Sequence, residues 1–406
     1  MLRLVCVAAA IILALVCAPA VGERLAFDGG ESASTPSLAS DPARGLVLTW
    51  QTRDDAGAAL RYALLDAEGR ELRRGIVAQG KDWFVNWADF PSLVVLDNND
   101  WVSYWLQKSA PDTYAYDVRV TRSTNGGGRW SEPLIPHDDG TPTEHGFASL
   151  LALDGARVQI VWLDGRHSQG AASDHAAGHS DEEGPMTLRS AVLDWHGRIA
   201  EAHELDALTC SCCQTDSARV GKRTLVVYRD RSDDQVRDIA LVERAGKGAW
   251  SQPQIVHADG WKVSACPVNG PAIAANGEIA LIAWPTLANA PMSVRYVLRK
   301  GQKNSSMRVL EQGEAVIGRV DASAAANGGF AISWVGANRS GNALKLATLD
   351  ASGKLLGVRE VATLEPGRST GHPRLVWYRN AHYLTWTESS GAGKTRIALE
   401  RIAPGS

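Results

Sequence analysis

The residues best suited to chemistry crowd the middle of the chain. Cys210, Cys212 and Cys213 stand in Cys-Ser-Cys-Cys, with Cys266 further on. Thiols at such spacing can pair as disulfides or hold a soft ion such as zinc or copper(I), although Cys-x-Cys-Cys lacks the two-residue gap usual for zinc. A second group is charged: Asp89, His145, Asp164-Gly165-Arg166, Arg229-Asp230-Arg231, Arg319, His372 and Arg374, joined by the amide of Asn269. Guanidinium forks match carboxylates, and paired acids such as Asp89, Asp164 and Asp230 could perform acid–base work on a glycosidic bond. The same Asp–Arg pairs read equally as ion-paired turns that tie neighbouring elements together.

What must position these residues is a repeat. Short apolar segments end in an aromatic residue at Trp50, Trp105, Trp162, Tyr228, Trp284, Trp334 and Trp386, as in GLVLTW, ARVQIVW and GGFAISW. Units of this length, each with several strands of period two, predict a single all-β propeller of four-stranded antiparallel blades. Seven blades is the expected count, with six as the alternative. Turns at Asp66–Arg70, 195–198 and Asp350–Lys354 fall at matching points in their units. The last unit ends soon after its third strand, so an N-terminal strand near Arg24–Phe27 is expected to complete it and close the ring.

The repeat also supplies a phase. In a propeller, the loops that precede each innermost strand and follow each second strand meet at one end of the central channel. That rule selects Asn86, Asp89, Glu144, His145, Gln214, Asp216, Asn269, Arg319, Asp321, His372 and Arg374 before inner strands. It selects Asp164, Arg166, Arg229, Asp230, Arg231 and Glu388 after second strands. From this ring, Asp89, Asp164 and Asp230 are the catalytic candidates. His145, Arg166, Arg229, Asn269, Arg319, His372 and Arg374 are the ligand-binding candidates.

Residues 1–22 read as an export signal: Arg3, an apolar run over Leu4–Val16, then small residues over Ala18–Gly22. The propeller is expected to occupy 23–406, in the periplasm or outside the cell, with no membrane-spanning segment after cleavage. Loss of the signal takes Cys6 and Cys17 with it. The four remaining cysteines, Cys210, Cys212, Cys213 and Cys266, are then expected to form disulfides, and three pairings are open. A bridge from Cys266 to Cys212 or Cys213 would join adjacent blades. No cofactor and no metal are expected, although His167, His175 and His179 lie with several acids in a polar insertion over His167–Gly184. A net charge of −3 without a basic cluster gives no basis for nucleic-acid binding. Nothing in the sequence indicates an oligomeric state.

Ser123-Thr124-Asn125-Gly126-Gly127-Gly128-Arg129-Trp130 resembles the Asp-box (BNR) hairpin of sialidase-like propellers, with Asn125 where the acid usually stands. The segments around Cys210–Thr215, Tyr228–Arg231, Arg237–Ile239 and Cys266–Pro271 are similar to exported bacterial proteins of that kind. The resemblance implies a propeller whose box is a folding element on the rim, and in sialidases an arginine triad, a Tyr–Glu nucleophile pair and an Asp acid. This chain departs from it: Ser34-Thr35-Pro36 stands where an Arg-Ile-Pro signature would open the first unit. Arg319 and Arg374 match two triad positions by phase. The expected function is therefore binding of a polar small molecule or glycan at the channel mouth. The alternatives are a sialidase-like glycoside hydrolase using channel carboxylates, and a periplasmic metal-handling or redox-linked protein using the cysteines.

Overall fold

The computed structural model describes residues 22–168, 184–194, 196–391 and 393–403. Residues 1–21 of the expected signal, Trp195 in one of the matching turns, and most of the polar insertion, including His175 and His179, lie outside them. Every regular element among the described residues is a strand, and the strands form seven antiparallel sheets arranged as a β-propeller. Blade 1 covers 34–80, blade 2 93–123, blade 3 145–206, blade 4 216–257, blade 5 272–312, blade 6 318–364 and blade 7 374–402. Blade 2 has three strands, and its outer edge is reduced to a bridge between Val120 and Leu134. Blade 5 divides its outer strand into Lys303–Asn304 and Arg308–Gln312.

The seven aromatic markers all lie on second strands and are nearly or fully buried. Each packs into the apolar layer shared with the preceding blade. Trp50 meets blade 7, Trp105 blade 1, Trp162 blade 2, and so on round to Trp386 against blade 6. The core is thus seven inter-blade layers rather than one centre. This accounts for the continuous apolar runs on second strands, which are covered on both faces.

Hairpin turns are fastened across the same layers. At Asp66–Arg70 and Asp350–Lys354 the aspartate Oδ1 accepts amides from two and four residues on, while Gly69 and Gly353 take φ values of +78° and +73°. Tyr296 donates to Gly353 O of the next blade at 2.9 Å, and Tyr383 donates to Ala67 O. The Asn125 segment occupies the corresponding place in blade 2. There Asn125 Oδ1 accepts the Arg129 amide at 2.8 Å, Ser123 Oγ accepts the Gly127 amide, and Tyr62 of blade 1 donates to Gly127 O at 3.0 Å. Trp130 is half-buried against Tyr62 and Trp101.

The ring closes as expected. Glu23–Leu25 forms the outer strand of blade 7, with Leu25 opposite Leu399 and Arg24 opposite Glu400. Leu25 is buried among the apolar residues shared by blades 7 and 1, whereas Arg24 is partly exposed in an ion pair with Glu388. Truncation of Leu25 to Ala is expected to cost about 2–4 kcal/mol. Arg24→Ala should cost less than about 1 kcal/mol, because exposed ion pairs contribute little. Urea denaturation at fixed pH checks this. Equal losses would mean that charge, not apolar burial, holds the closure.

Candidate ligand site at the channel mouth

Where the chain turns into the inner strands, it adopts backbone conformations that side chains disfavour. Thr35, Phe147, Val268 and Arg319 have φ values of +49°, +49°, +49° and +51°. Such residues need neighbours to hold them. For three of them the preceding blade supplies one: the Thr35 amide donates to Thr387 Oγ1, the Phe147 amide to Asp89 Oδ1, and the Arg319 amide to Asn269 Oδ1, at 2.8–3.1 Å. Asp216 and Asp321 accept the amides of Ile273 and Leu375 in the same sense, at 2.9 and 2.7 Å. Polar residues at this phase therefore stitch blade to blade.

Two cavities lie behind this ring. The inner one, of about 110 Å³, is lined by Asp89, Tyr104, Phe147, Gln214, Asp216 and Arg374. Arg374 pairs with Asp321 at 3.4 Å. Burial pushes the Asp89 carboxyl up to about 7 and that of Asp216 up to about 6, against the lowering effect of their hydrogen bonds and, for Asp216, of Arg374. Ala88 and Phe147 also wall an outer pocket of about 360 Å³. Its other walls include Trp87, Tyr114, Tyr116, Glu144, Cys212 and Arg368.

Tyr116 connects the two spaces. Its hydroxyl lies 2.9 Å from Asp89 Oδ2 and 2.7 Å from Glu144 Oε1. A phenol has one proton to give. With Asp89 protonated below about pH 7, a chain from Asp89 through Tyr116 to Glu144 satisfies all three groups. Burial, reinforced by both carboxylates, drives the Tyr116 phenol well above its ordinary range, so it is a neutral donor rather than an activated nucleophile.

On the opposite wall, Trp87 stacks on buried His372 at 5.9 Å between ring centroids, and the Arg319 guanidinium lies 4.5 Å from the Trp87 ring. Arg319 donates to Thr370 Oγ1, Gly371 O and Gly367 O, which fixes the loop carrying Arg368. Burial and the neighbouring Arg368 pull Arg319 down to about 10. Burial together with Arg319 and Arg374 holds His372 well below the usual imidazole range, so it is neutral at pH 7. Arg368 itself is exposed at the pocket.

Of the predicted catalytic and ligand-binding residues, Asp89 and Arg374 line the inner cavity and none lines the outer one. Asn269, Arg319 and His372 form the layer beneath the mouth. Asn269 also donates to Ile317 O. Arg229 is buried with all three guanidinium nitrogens on the carbonyls of Asn269, Arg237 and Pro285, over the Trp261 ring. His145, Asp164 and Arg166 gather elsewhere in blade 3. Arg166 donates to both Asp164 oxygens at 2.7 and 2.8 Å, Trp162 donates to Asp164 Oδ2, and His145 stacks on His137 at 3.8 Å with Asp139 on its Nε2. Burial opposes the charge on His145, but Asp139, Asp164 and Asp117 outweigh it and raise its pKa. Asp230 is half-buried in blade 4, where burial and Asp206 push it up to about 6. Glu388 is taken by Arg24 and Arg396.

The cysteines converge at the outer pocket. Cys210, Cys212 and Cys213 are buried, and no sulfur–sulfur bond is formed among them: Cys210 Sγ stands 2.8 Å from Cys213 Sγ and 3.9 Å from Cys212 Sγ. Cys266, exposed on the neighbouring loop, reaches the Cys212 thiol. Burial works against a thiolate at Cys210, yet hydrogen bonds from Cys212 and Cys213 and the charge of Arg237 bring it well below the usual thiol range.

Trp87, Tyr114, Tyr116 and Arg368 were not among the residues selected from sequence. Tyr116 opens the third strand of blade 2, which begins at the same end of the channel as the two loop sets used for the phase. Extending the rule to third-strand starts finds it. Arg368 sits six residues before its inner strand, in a loop of irregular length.

The sequence matches no family model and no curated protein. Among solved structures, a protein of unknown function from Dyadobacter fermentans aligns over 95% of this chain and 98% of its own, at 11% identity and a TM-score of 0.56, which shows a shared fold. The NanB sialidase of Streptococcus pneumoniae aligns over 94% of both chains at 8% identity and a TM-score of 0.48. An acylaminoacyl peptidase of Pyrococcus horikoshii aligns over 93% of this chain and 52% of its own, at 11% identity and 0.49. Sialidases are thus among the structural neighbours, at a level that carries no argument about chemistry.

Asp89 makes the fold sensitive to pH. Its folded-state pKa of about 7 lies above the unfolded value of 3.8, so its contribution is fully present below about pH 4 and is lost as the pH rises through 7. Asn keeps an acceptor for the Phe147 amide and carries no titrating proton. Asp89→Asn is expected to reduce the fall in stability between pH 5 and pH 8 by about 1–3 kcal/mol. Asp89→Ala should destabilise at both pH values by leaving that buried amide unpaired. Thermal melts across the range check this, and an unchanged slope in the Asn variant would place the proton elsewhere.

Proposed function

We propose that this protein is a sialidase-like propeller that acts outside the cytoplasm and binds a small polar ligand, of acidic sugar or glycan type, in the outer pocket. The observation that carries this reading is Arg368, an exposed guanidinium facing a pocket framed by Trp87 and Tyr114. Aromatic faces suit the apolar faces of sugar rings, and a guanidinium suits a carboxylate. Glu144 adds an acceptor for ligand hydroxyls. The volume of about 360 Å³ falls in the range of small-molecule sites.

Binding is favoured over hydrolysis. Asp164 is neutralised by Arg166, and Asp230 lines neither cavity. Asp89 is separated from the pocket by Tyr116. Glu144 is the carboxylate that reaches the pocket wall, whereas glycoside hydrolysis ordinarily uses two acids flanking the scissile bond.

Calorimetric titration with sialic acid, a uronic acid and a neutral hexose tests the reading, alongside a panel of aryl glycosides. The acidic sugars are expected to bind, and Arg368→Ala to weaken them about 10–100-fold with little change in stability. Trp87→Ala should weaken every sugar that binds. Preference for the neutral sugar, or no effect of Arg368→Ala, would refute it. Turnover of any glycoside would replace binding by catalysis.

A further inference from the structure

The cysteine cluster raises a question of charge that the pocket does not answer. Arg229 and Arg237 are 1% and 2% exposed; Arg229 lies near Cys213, and Arg237 lies near all three buried sulfurs. Arg229 spends its donors on main-chain carbonyls. Arg237 donates to Gln235 Oε1 at 3.0 Å and to Cys210 Sγ at 3.5 Å. Among the described residues neither forms an ion pair with a carboxylate. Two guanidiniums buried without negative charge carry a steep desolvation cost. Disulfides carry no charge, and neutral thiols carry none.

The arrangement of the sulfurs points the same way. Cys210, Cys212 and Cys213 border the apolar layer shared by blades 3 and 4. Here the Sγ atoms of Cys210, Cys212 and Cys213 turn toward one another and lie within 4.8 Å. Metal–thiolate bonds of about 2.3 Å set neighbouring sulfurs roughly 3.8–4.0 Å apart. Cys210 and Cys212 already stand at 3.9 Å. Cys213 would need to draw back from Cys210 by about an ångström. The turn is anchored beside them, since the Cys210 amide donates to Arg229 O at 3.1 Å. Cys212 and Cys266 also line the outer pocket, which gives an ion a way in.

We propose that Cys210, Cys212 and Cys213, with Cys266 at the open side, form a thiolate site for a soft d10 metal ion, copper(I) or zinc(II). Three thiolates around a monovalent ion, or four around a divalent one, leave two negative charges, which Arg229 and Arg237 balance. Three buried sulfurs with the fourth exposed fit the lower coordination number of copper(I). Binding releases the thiol protons to solvent and involves no electron transfer. This site does not depend on the sugar reading of the pocket.

The test uses the full chain, reduced and purified without oxygen. It is titrated with copper(I) against a chromophoric copper(I) chelator, and separately with zinc(II) against a zinc indicator. One ion per chain is expected, with simultaneous protection of at least three thiols from a thiol reagent. Preference for either ion supports the site and identifies its occupant. Cys210→Ser combined with Cys213→Ser should weaken binding at least about 100-fold. If that variant fails to fold, thiol protection in the unaltered protein and the exposed Cys266→Ser variant decide, the latter being expected to weaken binding while the melt is unchanged. Failure to take up either ion, or uptake without thiol protection, would overturn the proposal. So would undiminished affinity in a folded double variant.

Discussion

The ring depends on one recurring hydrogen bond: a main-chain amide at the start of an inner strand, caught by a side chain of the blade before it. Phe147 on Asp89, Arg319 on Asn269 and Thr35 on Thr387 are three such pairs, and in each the amide belongs to a residue with positive φ. Left-handed backbone at a Phe, Arg or Thr is costly, and a buried unpaired amide adds to the cost. One bond relieves the second penalty and holds the first in place. Because it crosses the gap between blades, it also sets how closely they approach there. Gly146 shows how little slack remains: a Cβ there would fall 2.0 Å from Asp89 Oδ2.

This dual use of the mouth explains what could be read from the sequence. The aromatic at the end of each second strand marks an inter-blade layer, and that layer is the same in all seven units. The fold and the favoured count of seven blades therefore follow from pattern, and the closing strand expected near Arg24–Phe27 lies at Glu23–Leu25. The phase rule gathers Asp89, Asn269, Arg319, His372 and Arg374, of which Asp89 and Arg374 line the inner cavity. It could not separate residues that face the ligand space from those that hold blades together, because both need polar side chains at one position. Asp164 illustrates this. In the sequence it is an acid at the correct phase, yet in the fold its oxygens accept from Trp162 and Arg166.

The pocket walls were harder to find for a different reason. Trp87 and Arg368 lie on connections of unequal length, so the repeat offers no position to compare. Glu144 falls within the phase rule, just ahead of its inner strand, whereas Tyr116 opens a third strand that the rule does not cover. They become a unit only when blades 2 and 3 meet and one hydroxyl stands between two carboxyl groups. Pairings across an inter-blade gap are absent from any single unit, and single units are what sequence repetition displays.

The same limit governs the cysteines. Their spacing suggests disulfides in an exported protein, and adjacency of Cys266 to the Cys210–Cys213 turn agrees with the predicted meeting of neighbouring blades. What the spacing does not contain is Arg237, which reaches Cys210 from the loop between the second and third strands of blade 4, or the burial of Arg229 on main-chain carbonyls. With these two cations in place, the electrostatic balance of the turn depends on whether the sulfurs carry charge. Oxidation would remove that charge and leave two buried guanidiniums uncompensated. Thiolates gathered on an ion would keep it. The surrounding cations, more than the cysteine spacing, therefore decide between a staple and a metal site.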